Sequence, residues 1–313
     1  MTEVIYYLAG ARLPVVFTGA NRQVTAPIGL QPDHQDTMSF RDAGLIELYV
    51  EDVQEAYDTH LQAFRIAEDH DILLPVMVCM DGFVLTHVYE PVKTFSQEDV
   101  DAFLPPYVPI HYMTPEKPMV FGSGTDEPNT MEFHYMGQQA ALRAINKIEV
   151  VAREFETSFG HYRGGLIDTY ATEDAEVILV AMGSVIGTLR EAVDILRSEG
   201  TKVGLVKVRS FRPFPAEALR QAISHAGAVA VLDRALSYGY EGILATDVKS
   251  ALYDAPTRPL IIGMMVGFGG REVNLGTIRE VVQRTQRALD TGIVPNQAES
   301  IGLKTDTLPQ FRV

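Results

Sequence analysis

Three short apolar runs constrain the front of this chain more than any other feature: Leu13–Thr18 (LPVVFT), Leu45–Val50 (LIELYV) and Leu73–Met80 (LLPVMVCM). Each is almost unbroken in apolar and β-branched residues, the pattern of a strand covered on both faces. Between the last two lies Glu51–Asp69, where Val53, Ala56, Tyr57, Leu61, Phe64 and Ala67 keep a helical period. Strand, helix, strand in that order implies a right-handed crossover and a parallel sheet. Ile5–Ala11 reads as the end of a helix, with Gly10 as its stop. The chain therefore enters its first domain on a helix rather than on a strand.

Residues 90–128 carry Pro91, Pro105, Pro106, Pro109, Pro115, Pro118 and Pro128 and read as an irregular connector. Met131–Phe159 reads as one long helix. Beyond Gly164-Gly165 a second α/β unit follows. Its expected strands are Val177–Met182, Val203–Val208, Ala228–Leu232 and Leu260–Val266; the turn Gly183–Thr188 leads into a helix running to Ser198, and further helices are expected over Ala216–Ser224, Gly242–Tyr253 and Leu275–Asp290. Phe211-Arg212-Pro213-Phe214-Pro215 is expected to break the chain. No repeat or low-complexity segment interrupts this order.

With 313 residues and 46% hydrophobic content, the chain is long enough for two domains with sizeable cores. A net charge of −15, with no compensating cluster of Lys or Arg, argues against nucleic acid as a partner. No apolar run approaches the ~20 residues of a membrane helix, and no leader or lipidation motif is visible, so the cytoplasm is the expected location. Cys79 stands alone within an apolar run, where a thiol is expected to be buried and inert. One thiol cannot hold an iron–sulfur cluster, which takes about four.

The candidates for chemistry cluster in a long loop, residues 19–44, longer than a compact domain uses without a role for it. Arg22 follows the first strand directly, at the carboxyl edge of the sheet, where open α/β folds bind ligands. A guanidinium there can hold a carboxylate through two parallel hydrogen bonds, although position alone leaves an ordinary surface arginine as the alternative. Asp33-His34-Gln35-Asp36 is too compact for a known metal-ligand set and reads as a hydrogen-bonded anchor. Asp81, after the third strand, either contacts a ligand or caps the following turn, and the cap is favoured. Gly183-Ser-Val-Ile-Gly187-Thr188 could cradle a phosphate but lacks the glycines and lysine of the known loops, so a tight strand–helix turn explains it better. Gly267-Phe-Gly-Gly-Arg271 suits a phosphate, a neighbouring subunit or close packing equally.

In order along the chain, AGARLPVV (9–16), Asn21-Arg22, Asp33-His34-Gln35-Asp36, Arg41-Asp42, YVEDVQEA (49–56), LPVMVCMDGF (74–83), AMGS (181–184), RSFRPFP (209–215), Asp233-Arg234 and GFGGR (267–271) resemble the α-subunit of the 2-oxoacid:ferredoxin oxidoreductases, which include pyruvate synthase. The resemblance spans nearly the whole chain. It implies a partial pyrimidine-type thiamine-diphosphate-binding α/β domain over residues 1–125, a connector and long helix over 126–160, a transketolase C-terminal-like α/β domain over 161–290, and a tail over 291–313. It also implies oxidative decarboxylation of a 2-oxoacid to acyl-CoA and CO2, with electrons passing to ferredoxin. In that family Arg22 matches the arginine that binds the substrate carboxylate, and the loop 33–42 shapes the same pocket. Asn21, Asp33 and His34 become weaker candidates for cofactor contacts.

The family's Mg2+–diphosphate site and [4Fe-4S] clusters belong to a β subunit and to ferredoxin-like partners, which act beside a γ subunit; the single cysteine here fits that division. Two departures qualify the match. The family segment with a Tyr-Pro-Ile-Thr-Pro-like loop and the glutamate that activates the aminopyrimidine has no counterpart in this chain, so the chain alone is not expected to complete an active site. Residues Gln23–Pro32 also differ, which leaves the particular oxoacid open. A non-catalytic assembly or regulatory subunit, and a transketolase-like or decarboxylase component with another electron acceptor, are the competing readings.

Overall fold

The elements arise where local chemistry favours them. Asp52 accepts the backbone N–H of Glu55 and starts one helix, Pro128 opens the long one, and Gly160 ends it in a left-handed conformation. The computed structural model describes residues 2–24, 27–295 and 299–308. In chain order the elements are α1 (Thr2–Gly10), β1 (Val16–Asn21), α2 (Gln35–Met38), β2 (Ile46–Tyr49), α3 (Val53–Ala67), β3 (Val76–Asp81), α4 (Gln97–Phe103), α5 (Glu127–Phe159), β4 (Ile167–Tyr170), β5 (Val177–Ala181), α6 (Val185–Ser198), β6 (Val203–Val208), β7 (Ser210–Arg212), α7 (Ala216–Ile223), β8 (Ala228–Asp233), α8 (Ile243–Leu252), β9 (Leu260–Met265), α9 (Leu275–Thr291) and β10 (Glu299–Ser300).

Two sheets result. The first has the order β1-β3-β2-β7 and the second β10-β9-β8-β5-β6-β4. Strands β1, β3 and β2 run parallel, with Asn21 level with Asp81. In the second sheet only β4 is antiparallel, against β6. One core cluster fills the outer face of the first sheet, where Leu48, Val76 and Val78 meet Ala63 and Ile66 of α3 and Ile148 and Phe155 of α5. A second joins Leu179 and Leu205 to α6 and α9. The third lies between the sheets and binds Tyr49, Met77 and Cys79 to Val180, Val206, Leu219 and Leu244. The order of layers is therefore helices, sheet, helices, sheet, helices, and neither sheet can be lifted off without opening a core.

The structure departs from the sequence reading at instructive places. Residues 210–212, expected only to break the chain, form β7, which crosses from the second sheet to pair antiparallel with β2, Glu47 opposite Arg212. Strand β1 begins and ends three residues later than the apolar run, because Pro14 cannot donate to the ladder. The proline-rich connector contains α4, which Ser96 starts by accepting the N–H of Asp99. The prolines on either side hide that capping signal. The short strands β4 and β10 carry too few apolar residues to show a pattern.

The two units are also bolted together by a buried ionic cluster. Lys207, at the end of β6, reaches both carboxylate oxygens of Glu55 on α3, at 2.8 and 2.7 Å, and Glu51 at 3.0 Å. Arg209, fully buried, donates to Thr59 at 3.0 Å, to Gln62 at 2.9 Å and to the carbonyl of Gly165 at 3.1 Å. Burial lowers the Arg209 pKa against the pull of Glu55. Burial would raise the Glu51 carboxyl, but Lys207 and Arg190 outweigh it and hold it below its usual range.

Candidate active site at the meeting of two sheet edges

Parallel strands present their carboxyl ends together, and here the two sheets present theirs to each other. Asp81 ends β3, the turn Gly183-Ser184 follows β5, and Asp233-Arg234 ends β8. Asp81, 1% exposed, gathers them. Its Oδ1 pairs with Nε2 of His34 at 2.8 Å. Its Oδ2 accepts the backbone N–H of Ser184 at 2.8 Å, the Ser184 hydroxyl at 2.5 Å and Nη1 of Arg234 at 2.7 Å. Burial alone would raise this carboxyl. The charges of His34 and Arg234, with the hydrogen bonds of His34 and Ser184, overcome it and hold the group well below the usual range. The expectation that Asp81 caps its own turn is corrected: its side chain points inward and ties the two units together.

The phosphate-like turn Gly183–Thr188 is occupied by the chain itself. A Cβ at Gly183, where φ is +76°, would lie 2.9 Å from both Asp81 Oδ2 and His34 Nε2, so only glycine admits that carboxylate. The turn at 267–271 packs in the same way on the loop after β1. A Cβ at Gly269 or Gly270 would strike the side chains of Gln23 or Gln31. Arg271 turns away to the carbonyl of Gly302.

This framework fixes the loop that carries the predicted residues. Asp33 accepts the N–H of Gln35 at 2.7 Å, and Asp36 accepts the backbone N–H groups of Arg22 at 3.0 Å and of Thr37 at 2.8 Å. Burial raises both the Asp33 and Asp36 carboxyls. His34 meets Tyr49 edge-on, ring centres 5.1 Å apart, and its main-chain N–H donates to the carbonyl of Arg234 at 3.0 Å. The Asp-His-x-Asp run is an anchor, and among the described residues no three His, Cys, Asp or Glu side chains converge as a metal site.

Arg22 leaves the tip of β1 half-buried. Among the described residues its Nη1 donates to the carbonyl of the neighbouring Gln23, at 2.8 Å, and no carboxylate lies within ion-pair distance of it. Asn21 beside it is fully buried, and among the described residues neither of its amide atoms has a hydrogen-bond partner. Around this edge Ile28 and Leu30 are 73% and 63% exposed, and Phe83, just past β3, is 44% exposed. A cation and an apolar rim suit a carboxylate and a flat organic ring. Neither feature supplies the clustered N–H donors or carboxylates that a diphosphate with its metal takes.

The sequence reading found the loop and Arg22 but missed Arg234 and Ser184 as partners of Asp81. It also missed Glu55, Lys207 and Arg209. The alternation of Lys207 and Arg209 at the end of an otherwise apolar strand was the available signal.

Comparison with known proteins agrees with this layout. Residues 1–154 match the family described as pyruvate flavodoxin/ferredoxin oxidoreductase, thiamine diphosphate-binding, and residues 175–278 match pyruvate:ferredoxin oxidoreductase core domain II. The pyruvate synthase subunit PorA of Methanosarcina barkeri is 47% identical over 98% of this chain and 77% of its own length. The ketoisovalerate oxidoreductase subunit VorA of Pyrococcus horikoshii is 39% identical over 97% of this chain and 77% of its own. A solved 2-oxoglutarate:ferredoxin oxidoreductase from Magnetococcus marinus shares the fold at a TM-score of 0.60 and 14% identity, over 91% of this chain and 51% of that one. The chain belongs to the thiamine-diphosphate-dependent 2-oxoacid:ferredoxin oxidoreductases, among their α-type subunits.

Proposed function

We propose that this chain is the substrate-gripping subunit of a multi-subunit enzyme that oxidatively decarboxylates a 2-oxoacid such as pyruvate to acyl-CoA and CO2, reducing ferredoxin. The observation that carries the reading is Arg22: a cation at a strand tip, held by its main chain to Asp36, its guanidinium bonded, among the described residues, to a neighbouring carbonyl and to no carboxylate. A substrate carboxylate can displace that neutral acceptor and gain charge-assisted bonds.

Thiamine diphosphate, when bound, supplies the carbanion chemistry, and the protein supplies orientation and charge. In this chain Arg22 binds the carboxylate and Asp36 orients the arginine's backbone. The rim of Ile28, Leu30 and Phe83 excludes water from the acyl group. Residues 1–125 serve as the pyrimidine-type domain and 161–290 as the transketolase C-terminal-like domain. Mg2+ and the [4Fe-4S] clusters sit on partner subunits, of β, γ and ferredoxin-like type, and coenzyme A and ferredoxin meet the complex in the cytoplasm. No helix among the described residues is long and apolar enough to cross a membrane.

The test is Arg22→Ala in the assembled complex, with viologen reduction as readout. A rise in KM for the 2-oxoacid, or a fall in kcat/KM of about 100-fold (~2–3 kcal/mol), is expected from losing a charged hydrogen-bond partner. Unchanged kinetics would take Arg22 out of the site.

A further inference from the structure

Helix α5 is 33 residues long, but its first buried residue is Ala140. The stretch 127–139, ~20 Å long at ~1.5 Å per residue, is exposed throughout its first ten residues and at most half-buried thereafter. Met131, Phe133, Tyr135 and Met136 on it are 80%, 59%, 64% and 54% exposed, and Val120 just before it is 76% exposed. At ~100° per residue, Met131 and Tyr135 lie on one side of the helix and Phe133 and Met136 on the other. A helix laid on a flat surface needs one apolar stripe; apolar side chains on opposite sides belong to a helix held in a groove.

Nothing local explains this stretch. Asn129, Thr130 and Gly137 are poor helix formers, so propensity does not hold it in water. The four large side chains offer on the order of 500 Å2 of apolar area. That matches the largest patches tolerated on a monomer, and is more than half of what one side of a stable interface buries, ~800 Å2.

Charge selects the occupant. From Pro118 to Leu142 there is no Lys or Arg, while Asp126, Glu127 and Glu132 are all present. A second copy of this chain would bring the same acids against them, in a protein already at −15. A different polypeptide with basic residues around the groove would be attracted.

We propose that residues 127–139 are clasped in an apolar groove, rimmed by Lys and Arg, on another subunit of the enzyme complex. This rests on the reading of the chain as one subunit among several. The experiment places the photoreactive residue p-benzoylphenylalanine at position 133 in the co-expressed, purified complex. Illumination should join this chain to a subunit of different sequence, with the crosslink on an apolar segment flanked by Lys or Arg. In parallel, Phe133→Glu combined with Met136→Glu should weaken retention of the chain in the complex by 100-fold or more on size exclusion. A crosslink to a second copy of this chain, no crosslink at all, or retention within twofold of the parent would each overturn the proposal. Activity is read separately. A complex held through this helix that turns over no 2-oxoacid would defeat the functional reading and leave the interface standing.

Discussion

Ser184 donates both its backbone N–H and its hydroxyl to one oxygen of Asp81, a residue 103 positions earlier in the chain and in the other sheet's unit. The same oxygen takes Arg234, and its partner oxygen takes His34. One carboxylate thus fixes the loop that carries Arg22 against the edge of the second sheet.

Asp81→Asn should therefore unfasten that junction. The side chains of His34 and Arg234 are 3% and 9% exposed, and removing the shared anion strands a buried charge, a loss of about 3–5 kcal/mol. Urea unfolding measures it; a loss below ~1 kcal/mol would mean that the network adds little. The pH dependence has a definite sign. The Asp81 carboxyl is held below its ordinary value of 3.8, so its contribution is present above that value and is lost as pH falls through the lower, native one. The parent should keep this contribution at pH 4, and the variant should show no such acid-side loss.

A second prediction concerns Lys207. Lys207→Met leaves Glu55, with 0% side-chain exposure, one cation among the described residues, Arg209 at 3.3 Å, beside the backbone N–H of Glu51. The expected cost is again about 3–5 kcal/mol. Pairing it with Glu55→Gln should cost clearly less than the two single changes added, by ~1 kcal/mol or more, because the partners share one network. Strict additivity in chemical denaturation would show that the cluster is not coupled.

The contrast between these two clusters explains what the sequence could tell. The strands β2, β5, β6 and β8 and helices α3 and α6 were readable because their apolar periods are local. The strand-tip position of Arg22 followed from β1 alone. The roles of Asp81 and Lys207 were not readable, since each depends on partners more than 100 residues distant. Strand β7 was hidden for a different reason: three residues between an arginine and a proline carry no period, and only pairing with β2 makes them a strand. Helix α4 had its capping serine in plain sight, but the prolines on both sides outweighed it.

Asp36 gives a third prediction, because it touches Arg22 only through the main chain. Asp36→Ala should lower kcat/KM for the 2-oxoacid about 10-fold, less than removing the guanidinium, with about 1 kcal/mol lost in stability from the two N–H groups it now accepts. Steady-state kinetics of the assembled complex, read beside a thermal melt, separates the effects. A kinetic loss equal to that of Arg22→Ala would give Asp36 a direct contact of its own.

The last prediction lies on the opposite face of β2 from α3. Glu47 is fully buried, and among the described residues neither of its carboxylate oxygens has a hydrogen-bond partner. Arg212 stands opposite it across the β2–β7 pair. The Arg212 guanidinium, however, is given to Asp247 at 2.9 Å and to its neighbour's carbonyl. Burial pushes the Glu47 pKa from 4.5 up to about 8; Arg212 and Arg41 pull it down and Asp42 pushes it up. The native chain therefore holds a proton that the unfolded chain releases between those two values. Stability from this group is complete below pH 4.5 and is lost as pH rises to about 8, at about 1.4 kcal/mol per pH unit. Glu47→Gln keeps the shape and cannot ionise. It should match the parent below pH 4.5 and exceed it increasingly as pH rises, by about 4 kcal/mol at pH 8. Urea midpoints taken across that range would show the two curves diverging; parallel curves would mean that Glu47 finds a charged partner in solution and is not held as the neutral acid.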